Sequence, residues 1–238
     1  MTPKIVCVAG PTACGKTTLG VLLAQRFHGE VVSADSMQIY RGMTIGTAAP
    51  TPEETEGIPH HMVAVADPAE KWSVARFTEA ADACIQDILR RGKLPILVGG
   101  TGLYLDAIIS GLTFAPGEAG GAVRKELEAQ LAQEGITPLW EELQQVDPEA
   151  AVRLHIADEK RILRALEVYR ETGCTISEHN RRTAALPRRY DPIYIGLAFR
   201  DRSDMRDLID RRVDAMMDAG LLGEVQALLE QGVPRTST

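Results

Sequence analysis

The sequence predicts an α/β fold, a P-loop NTPase-like parallel sheet core that carries an all-helical insertion. Three observations predict it. Apolar strand-like runs alternate with amphipathic helical patterns, a glycine-rich loop joins the first strand to the first helix, and strand signals vanish between residues 117 and 189 while helical ones follow in series. The expected organisation is a first core segment at 1–116, the insertion at 117–189 and a return segment of the core at 190–238.

The elements follow in order. Ile5 to Ala9 is an apolar strand, GPTACGKT from Gly10 to Thr17 is a loop, and Lys16 to Phe27 has helical spacing of its apolar residues. Glu30 to Ala34 is a second strand, with Asp35 at its carboxyl end. Ser73 to Arg91 is a long amphipathic helix that leads into a third strand, Leu94 to Val98, and then Gly99-Gly100-Thr101-Gly102. The stretch FAPGEAGGA, Phe114 to Ala122, reads as a hinge into the insertion. Inside the insertion, helices are expected at Val123 to Gln133, Pro138 to Gln145, Pro148 to Leu154 and Asp158 to Thr172, and Leu186-Pro187-Arg188 leads back out. Pro192 to Phe199 is a last strand, and Met205 to Glu230 a last helix with a break at Gly220. There is no internal repeat and no low-complexity tract.

Bulk properties exclude several classes of function. A chain of 238 residues with 45% hydrophobic and 25% charged residues can bury a full core. A formal net charge of -7 argues against coating nucleic acid or membrane by bulk charge, so any basic face must be local. Four cysteines (Cys7, Cys14, Cys84 and Cys174) with no CxxC pair and no histidine at zinc spacing fit a reduced cytoplasmic setting without thiolate metal sites. No apolar stretch approaches a membrane span, and Met1-Thr2-Pro3-Lys4 runs into a strand without a signal-like leader.

The loop carries the strongest chemical signal. Gly10, Pro11, Thr12, Ala13, Cys14, Gly15, Lys16 and Thr17 match GxxxxGK[ST], with the required strand before and helix after. Glycines let backbone N–H groups turn inward around an anion and the helix start adds its dipole; Lys16 supplies a point charge, and the Thr17 hydroxyl suits Mg²⁺. The motif implies a diphosphate or triphosphate with Mg²⁺, not an ATPase. Strand ends line the ligand crevice of an open α/β sheet, so Asp35 and Thr101 should face the cargo of the loop. Asp35 then has two possible roles, as a partner of the metal or its water, or as general base for an incoming nucleophile.

Other signals have plainer readings. His60-His61 reads as a structural turn, and Trp72 and Trp140 as packing residues. The stretch 153–189 holds nine basic and five acidic residues, a balance of +4, whereas 117–152 holds two basic and eight acidic, a balance of -6. The insertion is thus polarised, as an arm with one nucleic-acid-facing side should be. Arg170 is expected on a solvated face, while Arg181-Arg182 and Arg188-Arg189 are expected outside helix and on phosphates.

Five blocks in series, GPTACGKT, VVSADSMQIYRGMTIGTAAP, IPHHMVAVADP, PILVGGTGLYLDAII and DEKRILRALEVYRETG, resemble the tRNA dimethylallyltransferase (isopentenylpyrophosphate transferase) family over nearly the whole chain. The resemblance implies that the loop holds the diphosphate of dimethylallyl diphosphate, with Lys16 on its oxygens and Thr17 on Mg²⁺. It implies as acceptor the N6 amine of the adenosine just 3′ of the anticodon, in tRNAs reading codons that begin with U. It implies that Asp35 receives a proton from that amine or orients it, that Ser36, Met37 and Gln38 touch the adenine and its neighbours, and that Thr101 binds the tRNA nearby. Arg124 would meet RNA at the entrance of the insertion, and the KRILR run of Lys160, Arg161, Ile162, Leu163 and Arg164 would grip the anticodon arm. The expected species is a monomer. Two departures stand out: Ala49 replaces the lysine usual in the GTAKP block, and the family carries further helices beyond the position of Thr238.

Three other readings compete. An adenylate dimethylallyltransferase acting on free AMP, ADP or ATP would need no helical arm. A P-loop small-molecule kinase would need an arginine-bearing lid near the loop. A non-catalytic RNA-binding module would leave Lys16, Thr17 and Asp35 without purpose.

Overall fold

The computed structural model describes residues 2–112, 114 and 121–234. The chain divides into two compact units: one comprises Met1–Gly111 and Arg188–Thr238, the other Leu112–Pro187.

The first unit is built on a five-stranded parallel sheet of order β3-β2-β4-β1-β5. Its strands are β1 (Lys4–Ala9), β2 (Gly29–Ser33), β3 (His60–His61), β4 (Leu94–Gly99) and β5 (Asp191–Gly196). Its helices are α1 (Lys16–Phe27), α2 (Pro52–Thr55), α3 (Val74–Arg90), α4 (Gly102–Ser110), α10 (Arg202–Asp218) and α11 (Leu221–Glu230). Register is set by Val6 opposite Ile96 and Val8 opposite Val98 in β1·β4, and by Val31 opposite Ile96 in β2·β4. The central strands are covered on both sides, which is why they read as continuous apolar runs. Ile5, Cys7, Val32 and Leu97 pack with Phe77, Ile85 and Ile108, while Val6, Val8, Val31 and Ile96 pack with Ala24 on the other face. Burial pushes the Cys7 thiol up to about 12.

The last strand and helix differ from expectation at their ends. The strand stops at Gly196 rather than Phe199, and the helix begins at Arg202 rather than Met205; its expected break at Gly220, with φ +98°, parts it into α10 and α11. Only glycine takes such a φ without strain.

His60-His61 is not a turn but the edge strand β3, paired in parallel with Val31 and Val32. A two-residue strand shows no periodicity, so nothing in the sequence separates it from a loop. His61 Nε2 lies 2.7 Å from a carboxylate oxygen of Glu30, which is 1% exposed. The same carboxylate accepts from Arg91 at 2.5 and 2.7 Å and from Lys93 at 2.7 Å. Three partly exposed cationic or ionisable groups therefore hold one buried anion beneath the sheet edge.

The second unit contains α5 (Ala122–Glu134), α6 (Ile136–Val146), α7 (Pro148–Arg153), α8 (Glu159–Thr172) and α9 (Ile176–Ala184). Leu127, Leu139, Leu143, Ile162, Leu163 and Leu166 form its core. Asp147 is 4% exposed and caps two helices at once, accepting from Ala150 N–H and Ser177 N–H, each at 3.0 Å. Trp140 packs against this core, as Trp72 packs against that of the first unit, where Arg76 lies 4.5 Å over its ring. Most of the expected hinge, residues 115–120, lies outside the described residues. Among the described residues, no helix is long and apolar enough to cross a membrane.

Candidate active site

The carboxyl end of β1 turns directly into the loop Gly10 to Thr17, and α1 begins at Lys16. Two left-handed residues, Ala13 (φ +62°) and Gly15 (φ +84°), make the turn, and Gly15 is the N-cap of α1. Gly10 has no room for a side chain: a Cβ there would sit 2.7 Å from the Leu197 carbonyl oxygen. The loop leads into the positive end of α1, and its residues line a cleft of about 360 Å³.

The walls of this cleft come from distant parts of the chain. Gly10 to Thr18 form one side, and Asp35, Gln38, Ala48, Glu54, Gly100 and Arg212 the others. Lys16 Nζ donates to the carbonyls of Gly10 at 3.0 Å and Pro11 at 2.6 Å, so its ammonium lies across the loop. Cys14 also lines the cleft, its Sγ 4.0 Å from Lys16 Nζ. Thr17 stands at the second position of α1 and borders both this cleft and a neighbouring cavity of about 550 Å³. That cavity has largely apolar walls, among them Ile45, Ala49 and Met216. Ala49 is itself 8% exposed, and its N–H donates to Thr44 O at 2.9 Å.

Asp35 sits just past β2. Its Oδ1 accepts from Met37 N–H at 2.9 Å and Gln38 N–H at 3.4 Å, a local turn that fixes the carboxylate. Thr101 follows the neighbouring strand β4 and does not line the cleft; its hydroxyl oxygen accepts from Ser36 N–H at 3.3 Å. The two segments are drawn together because Gly99 has no side chain. A Cβ there would lie 2.1 Å from Ala34 O. Gln38 is held at both ends of its amide, accepting from Ser33 Oγ at 2.9 Å and donating to Ala48 O at 3.0 Å and Thr47 O at 3.3 Å.

The structure thus brings the loop, Asp35 and Gln38 into one cleft, with Ser36, Met37 and Thr101 on its margin. Sequence reasoning missed Arg212 and Glu54. Arg212 lies on α10 and has no carboxylate partner among the described residues, yet it borders the same space as Lys16. No local pattern marks it, since α10 is charged along its length. Glu54 belongs to a capping box with Thr51, a signal legible as T-x-x-E. The cleft thus brings the start of α1, one ammonium and one guanidinium, a set suited to an anion, beside the Asp35 carboxylate.

The remaining expected residues lie in the second unit. Arg124 pairs with Glu128 at 2.7 Å, Lys160 is exposed, Arg161 pairs with Asp158 at 3.2 Å, and Arg164 pairs with Glu167 at 2.8 Å. Ile162 and Leu163, expected with them on RNA, are 0% and 2% exposed. They lie on the inward face of α8 and hold the core, so only the charged members of KRILR reach solvent. Arg153, Arg161, Arg164 and Asn180 surround a pocket of about 270 Å³ with a floor that includes Leu154 and Ile176. Arg170 pairs with Glu142 and binds Gln130, tying α8 to α6 and α5. Arg181 and Arg182 are not outside helix but on α9, paired with Glu149 and Glu178. The capping signal Thr175-x-x-Glu178 marks this helix, and Thr175 accepts from Glu178 N–H at 3.1 Å. Arg188 is exposed, and Arg189, in the first unit, pairs with Asp82 at 3.1 Å.

Strand order, loop conformation and the cleft at the strand ends make the first unit a phosphate-loop α/β protein. Within that class the chain belongs to the IPP transferase family, whose model matches residues 38–238, while the isopentenyl transferase model matches residues 3–64. It is 47% identical over 239 residues to a tRNA dimethylallyltransferase of Caldanaerobacter subterraneus, covering 100% of this chain and 76% of the relative. It is 48% identical over 230 residues to that of Symbiobacterium thermophilum, covering 97% and 72%. Among solved structures, the tRNA isopentenylpyrophosphate transferase of Bacillus halodurans is similar with TM-score 0.65 and 41% identity, covering 99% of this chain and 72% of that one. A eukaryotic dimethylallyltransferase acting on tRNA is similar with TM-score 0.83 and 32% identity, covering 96% and 56%.

Proposed function

We propose that this chain prenylates tRNA, moving a dimethylallyl group from dimethylallyl diphosphate to the exocyclic N6 amine of the adenosine 3′ to the anticodon, in tRNAs reading codons that begin with U. The observation that carries this reading is the single cleft in which the phosphate loop meets Asp35, in a chain related over its full length to tRNA dimethylallyltransferases.

The diphosphate is received by the N–H groups of the loop and the start of α1, with Lys16 and Arg212 on its oxygens. Among the described residues, no cluster of three or more His, Cys, Asp or Glu side chains would hold a metal. Hard oxygen donors suit Mg²⁺, and here the Thr17 hydroxyl would supply one beside the diphosphate's own oxygens and water. When bound, Mg²⁺ offsets negative charge on the leaving diphosphate. The chemical step is a displacement. The N6 lone pair forms a bond to the allylic carbon, the bond from that carbon to the diphosphate oxygen breaks, and its electrons leave on the diphosphate. Lys16, Arg212 and the loop N–H groups favour this because charge grows where they point. Asp35 takes the proton from N6. Its Oδ1 is occupied by Met37 and Gln38 N–H groups, and Oδ2 has no partner among the described residues.

Adenine must leave its loop stack to enter the cleft, at a cost of a few kcal/mol. Arg124, Lys160, Arg161 and Arg164 are proposed to bind the anticodon arm and offset that cost. The working species is a monomer in the cytoplasm.

The test is transfer of radiolabel from dimethylallyl diphosphate, with Mg²⁺, to an unmodified anticodon stem-loop with an A-A-A run, beside free AMP. Label in the stem-loop and none in AMP is expected. Label in AMP alone would move the chain to synthesis of prenylated nucleotides.

A further inference from the structure

We infer that Glu224, on α11, is a positioning residue for the acceptor wall of the cleft, acting through the loop Thr44 to Ala49 and through Gln38. The inference rests on the reading above for what occupies that wall.

The geometry is a relay of hydrogen bonds. One oxygen of the Glu224 carboxylate accepts from Gly46 N–H at 2.8 Å, and the other from Ile45 N–H at 2.7 Å and the Thr44 hydroxyl at 3.3 Å. Successive backbone N–H groups form a concavity that favours an anion, and here a side chain from about 180 residues away fills it. The seat is tight: a Cβ at Gly46 would lie 3.1 Å from Leu221 Cδ1 and 3.4 Å from Glu224 Oε1. Held from outside, the loop closes on itself through Ala48 N–H to Ile45 O and Ala49 N–H to Thr44 O, each at 2.9 Å. Ala48 is then forced to φ +45°, which aims its carbonyl, with that of Thr47, at the amide of Gln38. Those two carbonyls and the Ser33 hydroxyl leave Gln38 one amide orientation. Gln38 and Ala48 both border the cleft beside Asp35. Glu224 itself does not border that cleft.

A carboxylate is needed because all three groups on it are donors. An amide at this position offers one acceptor oxygen and turns an NH₂ group toward an N–H. Glu224→Gln should therefore release the loop, blur the orientation of Gln38 and misplace the acceptor relative to Asp35. Misplacement of this kind costs about ten- to a hundredfold in rate.

The test is a double-mutant cycle in the full chain with Glu224→Gln, Gln38→Ala and the pair, alongside hydrogen exchange of the peptide spanning Thr44 to Ala49. The expected result is a ten- to hundredfold loss of kcat/KM for the stem-loop in Glu224→Gln, with KM for dimethylallyl diphosphate within about twofold of the parent. Adding Glu224→Gln to Gln38→Ala should cost under about twofold more, because the two act on one pathway. Exchange in the loop should rise at least about tenfold, with the peptides of β1 and α3 unchanged. Additive losses, an unchanged kcat/KM, or unchanged exchange would each overturn the inference. A parent chain that fails to label any stem-loop sinks the proposed function instead, and the exchange arm still decides whether Glu224 holds the loop.

Discussion

Replacing Asp35 by Asn separates geometry from proton transfer. The turn after β2 depends on Oδ1 accepting from Met37 and Gln38 N–H, at 2.9 and 3.4 Å, and the carbonyl oxygen of Asn can accept from the same two donors, more weakly. Exchanging a charged for a neutral acceptor on these two donors should cost the fold about 1 kcal/mol, a shift of a few degrees in Tm. What disappears is the proposed acceptor for the N6 proton. General-base assistance contributes about 10²–10⁴ in rate, or about 2.7–5.5 kcal/mol. Asp35→Asn should therefore lower the single-turnover rate on the stem-loop by that factor, with KM for dimethylallyl diphosphate within about twofold, since the phosphate loop is untouched. Asp35→Ala, which also removes the turn acceptor, should fall at least as far and melt earlier. A loss under about tenfold in Asp35→Asn, in a chain that binds both substrates normally, would refute Asp35 as the base.

Glu30→Gln should lower stability by about 2–4 kcal/mol at pH 7, less than for a fully buried pair because Arg91, Lys93 and His61 are 39%, 28% and 26% exposed. The Arg91 hydrogen bonds, with those of Lys93 and His61, hold the Glu30 carboxyl well below the usual range in spite of its burial. Its contribution is thus full above about pH 4.3 and fades as pH falls further, so the Tm gap to the variant should be constant from about pH 7 to 5 and narrow below about 4. Gly99→Ala must push β4 away from β2, because its Cβ would meet Ala34 O at 2.1 Å. Thermal unfolding should show a loss of about 3 kcal/mol, and transfer activity should fall because Asp35 and Thr101 part.

The parallel sheet was legible because β1, β2 and β4 are buried on both faces, so β1 and β4 carry long apolar runs and β2 the pair Val31-Val32. The loop was legible because its conformation demands glycine and lysine at set spacing. β3 was not, since two residues carry no period, and its partner Glu30 is remote in sequence. α9 was missed because ISEHNRRTA has too few apolar residues to show a stripe, although its cap signal was present. In KRILR charged and apolar residues occupy one helix: Ile162 and Leu163 share the buried stripe of α8 with Leu166, three and four residues on, so the block is not one surface. Arg212 and Glu224 could not be read at all. Each reaches its place through the packing of a whole helix, and long-range contacts of that kind leave no local trace.

The covalent route of the chain around the second unit has a consequence for how such a molecule is assembled. Arg189 N–H donates to Ile109 O at 3.2 Å, and a Cβ on Gly111 would lie 3.7 Å from Arg189 Cβ. The excursion through the second unit therefore departs from and returns to one spot at the end of α4. A segment whose two ends meet can be lengthened, exchanged or spliced out without re-threading the sheet. The second unit is in this sense a detachable cassette, and if it docks RNA as proposed, variation in the RNA it accepts need not disturb the chemistry of the phosphate cleft.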